Sequence, residues 1–170
     1  MKKTPFLLAL AALSTASAAD LPASATAAAP DVAAALVQIR AGEASCALVK
    51  DGALVAEGLG AGILPLLALL DERGADMEGA DLVDKIVGRA AAMIAIEGGV
   101  RSVTALVMSE DARDMLQAHG IVVHARTIVP QILNRHFSGR CPMEQAVYEI
   151  DDCSAGIEAL RAKLASMNGL

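Results

Sequence analysis

Ser102-Val103-Thr104-Ala105-Leu106-Val107-Met108, then Glu110 to His119, then Ile121 to Thr127, is the stretch that decides the fold. The first run is β-branched and almost continuously apolar, as expected of a strand buried on both faces. Glu110–His119 has the spacing of an amphipathic helix, closed by Gly120, and Ile121–Thr127 is a second strand. A strand, helix and strand in that order imply a parallel βαβ unit with a right-handed crossover.

Working upstream, Leu82, Val83, Ile86, Val87, Ala90, Met93 and Ile94 fall at helical spacing. They predict one helix from about Leu82 to Glu97, ended by Gly98-Gly99. Asp81-Leu82-Val83-Asp84 then resembles a capping box at its start. On that helix Lys85 and Arg89 stand i, i+4, like charges that repel by a few tenths of a kcal/mol unless an anion or water covers them. Gly88 in mid-helix costs roughly 1 kcal/mol relative to Ala, so a neighbour or ligand is expected to approach closely, with tight helix-on-sheet packing the simpler cause.

Further upstream, Asp31 caps a helix to about Ala41 with Val32, Ala35, Leu36 and Ile39 on one face and Gly42 behind it. Ser45–Lys50 and Ala53–Glu57 flank Asp51-Gly52, a two-residue hairpin turn. A Gly-rich connection from Gly58 to Gly62 leads to a helix from about Leu64 to Glu72, with Pro65 in its first turn. Downstream, an irregular stretch from Asn134 to Arg140 precedes two helices, Cys141 to about Ile150 and Ser154 to Met167. The sum is an α/β domain over residues 31–168, an antiparallel hairpin joined to parallel strands with helices on both faces.

Composition bounds the partners. The chain has 170 residues, a net charge of −6, 55% hydrophobic and 2% aromatic residues. An acidic balance with almost no aromatic platforms argues against nucleic acid. Met1-Lys2-Lys3, the apolar run Phe6–Leu13 and Ala16-Ser17-Ala18 predict a signal peptide over 1–18, followed by an Ala/Ser/Thr/Pro-rich linker over 19–30. The expected location is periplasmic or secreted; a mis-called start would leave a cytoplasmic domain. No segment is long and apolar enough for an integral membrane span.

Three cysteines are an odd number, so in an oxidising compartment one at least stays free or pairs with another molecule. Cys141 and Cys153 lie about 18 Å apart along a continuous helix, too far for a disulfide unless the helix breaks near Asp151-Asp152. Cys141-Pro142-Met143-Glu144 has the form of a helix start, where backbone N–H groups favour a thiolate. Cys141 is therefore the best nucleophile candidate, with Arg135 and Arg140 nearby; the alternative is a buried small hydrophobe beside surface arginines. There is no Cys-x-x-Cys, His-Glu-x-x-His, Gly-x-Gly-x-x-Gly, P-loop or Gly-x-Ser-x-Gly, hence no expected metal site and no expected cofactor. His119, His124 and His136 fall at a helix end, on a strand and in a loop.

Three separated motifs, Asp84-Lys85-Ile86-Val87-Gly88-Arg89-Ala90-Ala91-Ala92, Val129-Pro130-Gln131-Ile132-Leu133-Asn134-Arg135 and Cys141-Pro142-Met143-Glu144, resemble the bacterial family catalogued as domain of unknown function 1893. The likeness runs from about Asp31 to Leu164. It implies a cytidine-deaminase-like fold, a three-layer α/β/α sandwich with a mixed sheet. Zinc deaminases need a His or Cys near a catalytic Glu on one helix and two Cys at the start of the next. Those positions fall near Asp84-Lys85 and near Ser109-Glu110-Asp111, without His or Cys, so zinc-dependent deamination is not expected. The motif residues left are expected to converge on one cleft: Cys141, Asp84 and Lys85 in catalytic roles, with Arg89, Asn134, Arg135 and Glu144 binding an anionic small molecule. A non-zinc enzyme and a ligand-binding module are the two readings of that cleft. The alternative is a non-catalytic sensing or structural partner domain, and a homo-oligomer stays open.

Overall fold

A computed structural model describes residues 30–168. The expected signal peptide and nearly all of the linker lie outside the described residues. The first helix, α1 (Pro30–Ala41), precedes a hairpin of β1 (Cys46–Lys50) and β2 (Ala53–Gly58). Asp51 and Gly52 take φ of 53° and 78°, the two positive angles that the predicted turn requires. Then follow α2 (Leu64–Met77), β3 (Asp81–Val87), α3 (Arg89–Glu97), β4 (Ser102–Ser109), α4 (Glu110–Ala118) and β5 (Val122–Val129). Two further helices, α5 (Pro142–Val147) and α6 (Cys153–Asn168), end the described chain.

The strands form one mixed sheet in the order β2-β1-β3-β4-β5. β1 runs antiparallel to β2 and β3, while β3, β4 and β5 are parallel. Side chains alternate across it, so neighbouring residues feed opposite cores. Ala47, Val49 and Val83 face Val32, Ala35 and Ile39 of α1, the stripe expected for that helix. Cys46, Leu48, Leu82, Val103 and Ala105 face the larger core of α2, α3, α4 and α6. This is the α/β/α layering that the family resemblance implies.

One element differs from expectation. Residues 81–97 are a strand, β3, and a separate helix, α3, with Gly88 between them. Because Leu82 and Val83 are both fully buried, on opposite faces, β3 shows no polar/apolar alternation and its apolar residues also satisfy a helical spacing. Asp81 opens no capping box. It accepts from Arg101 Nε at 2.8 Å and Nη2 at 2.6 Å and from Ser102 Oγ at 2.6 Å, tying β3 to β4; the guanidinium holds its carboxyl below the usual range. Lys85 and Arg89 share no helix face, since Lys85 is an exposed strand residue and Arg89 begins α3. α2 also runs past Glu72 to Met77, kinked at Arg73 (φ −132°, ψ 25°).

Candidate functional site

Helices α3 and α4 both start where a parallel strand stops, and ligands of open α/β sheets bind beyond such strand ends. At the first, Glu144 of α5 presents its carboxyl to the open amides of α3. Arg89 N donates to Oε2 at 2.8 Å and Ala90 N to Oε1 at 3.0 Å. Glu144 is buried, and that burial raises its pKa against the lowering effect of the two amides. A Cβ at Gly88 would overlap this carboxyl, with the carbon Cδ only 2.5 Å away, so the close approach predicted for Gly88 comes from Glu144 rather than from the sheet.

The Arg89 side chain is 90% buried and spreads over four acceptor groups. Its Nε donates to Val147 O at 3.1 Å, and Nη2 to Ile150 O and Asp151 Oδ1, both at 2.7 Å. Nη1 reaches Asp111 Oδ1 at 3.2 Å. Arg89 thereby fastens the start of α3 to α4, to α5 and to the connection before α6.

The other nominated residues lie elsewhere. Asp84 pairs with Cys46 across β1 and β3 on the larger-core face, and Asp84 Oδ1 accepts from Ile86 N at 3.1 Å. Burial pushes the Asp84 carboxyl up to about 7; burial first, and the Asp84 charge second, push the Cys46 thiol up to about 12. Asn134 organises its own loop, accepting at Oδ1 from His136 N and Ser138 N, both at 3.1 Å. Arg135 is exposed. Cys141 is the N-cap of α5 and its thiol packs on the larger core. The helix does break between Val147 and Cys153, yet Cys46, Cys141 and Cys153 are all free thiols. Burial, then Glu97 and Asp152, raise the Cys153 thiol.

A cleft of about 330 Å³ opens beyond the ends of β4 and β5. Ser109, Glu110, Asp111 and Asp114 form one wall, Pro130, Gln131 and Arg140 another, with Glu144 and Tyr148 between. The Arg140 guanidinium carbon lies 3.7 Å from the centre of the Tyr148 ring, and both residues also line an adjoining hollow of about 500 Å³. Of the seven residues expected to converge on one cleft, Glu144 alone lines either space, while Arg140, noted from the sequence beside Cys141, lines both. The acidic wall has a sequence signal: Ser109-Glu110-Asp111 directly follows a buried strand and opens a helix. Among the described residues no group of three or more His, Cys, Asp or Glu is placed to hold a metal ion. At α3 the first-turn position carries the guanidinium of Arg89, already bonded to Asp111, so this donor set does not fit a zinc ion.

The family described as a domain of unknown function (DUF1893) matches residues 34–164. A crystal structure of a DUF1893 family protein from Thermotoga maritima is similar with a TM-score of 0.67 and 26% identity, over 79% of this chain and 88% of that one. Two weaker likenesses are partial. A Thermotoga maritima diaminohydroxyphosphoribosylaminopyrimidine deaminase/5-amino-6-(5-phosphoribosylamino)uracil reductase gives a TM-score of 0.39 at 21% identity, over 47% of this chain and 28% of that one. Acinetobacter baumannii RibD gives 0.41 at 20% identity, over 55% and 33%. Neither bears on activity here. No curated protein matches the chain.

Proposed function

This chain belongs to the DUF1893 family, and we propose that it is a non-catalytic binding module whose cleft beside α4 takes a small polar molecule carrying a cationic group. One observation carries the reading: the strongest polar groups at the head of α3 are already committed. Both Glu144 oxygens hold backbone amides, and Arg89 is shared among Val147, Ile150, Asp151 and Asp111. General acid–base work needs a group free to exchange a proton with substrate, and these two are not free. The cleft is lined by three solvent-reaching carboxyls, Glu110, unpaired among the described residues, Asp111, shared with Arg89, and Asp114, shared with Arg113, against the single lining guanidinium of Arg140. Such an excess attracts ammonium or guanidinium groups.

The test is thermal unfolding of the full chain against a panel of diamines, basic amino acids, phosphate and nucleotides. An amine-bearing compound is expected to raise the midpoint of the wild type. Asp114→Asn should lose that rise while keeping the ligand-free midpoint. Stabilisation by phosphate compounds alone, unchanged in Asp114→Asn, would instead favour the anionic ligand that Lys85 and Arg135 suggest.

A second reading has its own support in the Asp84 carboxyl, whose pKa near 7 suits proton transfer. In it, Asp84 moves a proton, Cys141 is the nucleophile and Lys85 holds substrate. Selective alkylation of Cys141 over Cys46 and Cys153 near neutral pH is its minimum requirement. Equal or absent labelling of Cys141 removes it.

A further inference from the structure

The connection between β5 and α5 displays an aromatic ring that nothing among the described residues covers. Phe137 is 80% exposed in a chain with only two phenylalanines and one tyrosine. Its backbone is left-handed, φ 54°, a conformation that bulky residues seldom adopt unless their surroundings impose it. The surroundings do so here. Asn134 Oδ1 accepts from His136 N and Ser138 N, Asn134 Nδ2 donates to Ser138 Oγ at 3.1 Å, and Phe137 N donates to Asn134 O at 3.0 Å. Asn134 N donates to Gly139 O at 2.9 Å, and Leu133 bridges Arg140 across the base. A ring held out on a braced loop meets a partner with little further loss of conformational freedom, the property of an interface anchor.

Charge indicates the partner. From Pro130 to Met143 the chain carries Arg135, His136 and Arg140 and no carboxylate, although the whole protein has a net charge of −6. The matching acidic surface lies next to the loop on the same molecule, in Glu110, unpaired among the described residues, beside Asp111 and Asp114, which pair with Arg89 and Arg113. Gln131 before the loop and Arg140 after it line that same cleft. A cationic projection beside an anionic hollow is self-complementary about a two-fold axis, because the loop of each copy meets the hollow of the other. We propose that two copies of this chain pair through the 134–139 loop, Phe137 of each entering the acidic cleft of the other against Tyr148, with Arg135 facing Glu110. Tyr148 is 53% exposed in the single chain, so the pairing covers both rings. It also gives the cleft an aromatic wall from the second copy. The inference concerns association without ligand, and a molecule bound in the same cleft would compete with Phe137 of the second copy.

Sedimentation velocity of the full chain over about 1 to 100 μM tests it, with the wild type expected as a dimer. Phe137→Ala should weaken association roughly tenfold or more. Arg135→Glu and Glu110→Arg should each be monomeric alone, and an equimolar mixture of the two should reassociate, because every contact then joins opposite charges. A wild type that is monomeric throughout overturns the proposal, as does a dimer indifferent to Phe137→Ala or a mixture that stays apart. If Glu110→Arg does not fold, Glu110→Gln replaces it and should weaken the dimer. Monomeric wild type that binds phosphatidylglycerol vesicles but not phosphatidylcholine vesicles would assign the loop to an anionic lipid surface instead.

Discussion

Helices α3 and α4 each begin at the end of a parallel strand, yet the amides of their first turns are satisfied over different ranges of sequence. α4 closes itself: Ser109, its N-cap, accepts from Ala112 N at 3.2 Å. α3 has Gly88 at the same position, which offers no side chain, and the missing acceptor is the carboxyl of Glu144, 55 residues from Arg89. The local cap fixes one helix end. The distant one fixes a helix end and also pins α5 over it, so one group holds two elements with both its oxygens engaged by amides.

The two ends should therefore fail differently. Glu144→Ala strands two buried amides and opens a void, an expected loss of about 3 kcal/mol in denaturant unfolding. A loss under about 1 kcal/mol would mean that water replaces the carboxyl without difficulty. Gly88→Ala places a methyl against the same carboxyl, for an expected loss of about 2 kcal/mol. Combined with Glu144→Ala it should cost much less than the sum, because the clash then has no partner. At α4, Ser109→Ala removes one local acceptor and should cost about 1 kcal/mol. If Ser109→Ala proves as damaging as Glu144→Ala, the distinction between the two ends collapses.

The strand leading into α3 adds a dependence on pH. The Asp84 carboxyl rises from an ordinary 3.8 to about 7 in the fold, so between those values the native state holds a proton that the unfolded chain has released. Stability from this group is present below the lower value and lost as pH climbs through the higher. Unfolding free energy should fall on the order of 2 kcal/mol from about pH 4 to about pH 8, the partial exposure of Asp84 being discounted, and Asp84→Asn should flatten that slope. A wild-type curve that rises over this interval would contradict the burial of that carboxyl.

The same contrast explains what the sequence could tell. The hairpin at Asp51-Gly52, the α1 stripe and the β4-α4-β5 unit rest on neighbours in sequence, and each stands as read. β3 does not, because a strand buried on both faces loses its alternation, and Gly88, the break before α3, looks like a helix interior. Glu144 was visible as a polar residue at a helix start, but its partners are amides far up the chain and carry no side-chain signature. Arg89 was legible only as a charge. Two of its four acceptors are the carbonyls of Val147 and Ile150, whose positions depend on where α5 ends.

Amide hydrogen exchange at Arg89 and Ala90 in the wild-type protein tests the closed head of α3 most directly, since first-turn amides have no partner within their own helix. Bonded to a buried carboxyl, both should exchange as slowly as amides in the core strands and speed up in Glu144→Ala. Exchange at the rate of an open helix end would show that Glu144 does not hold α3 and that its carboxyl is free to act on a ligand.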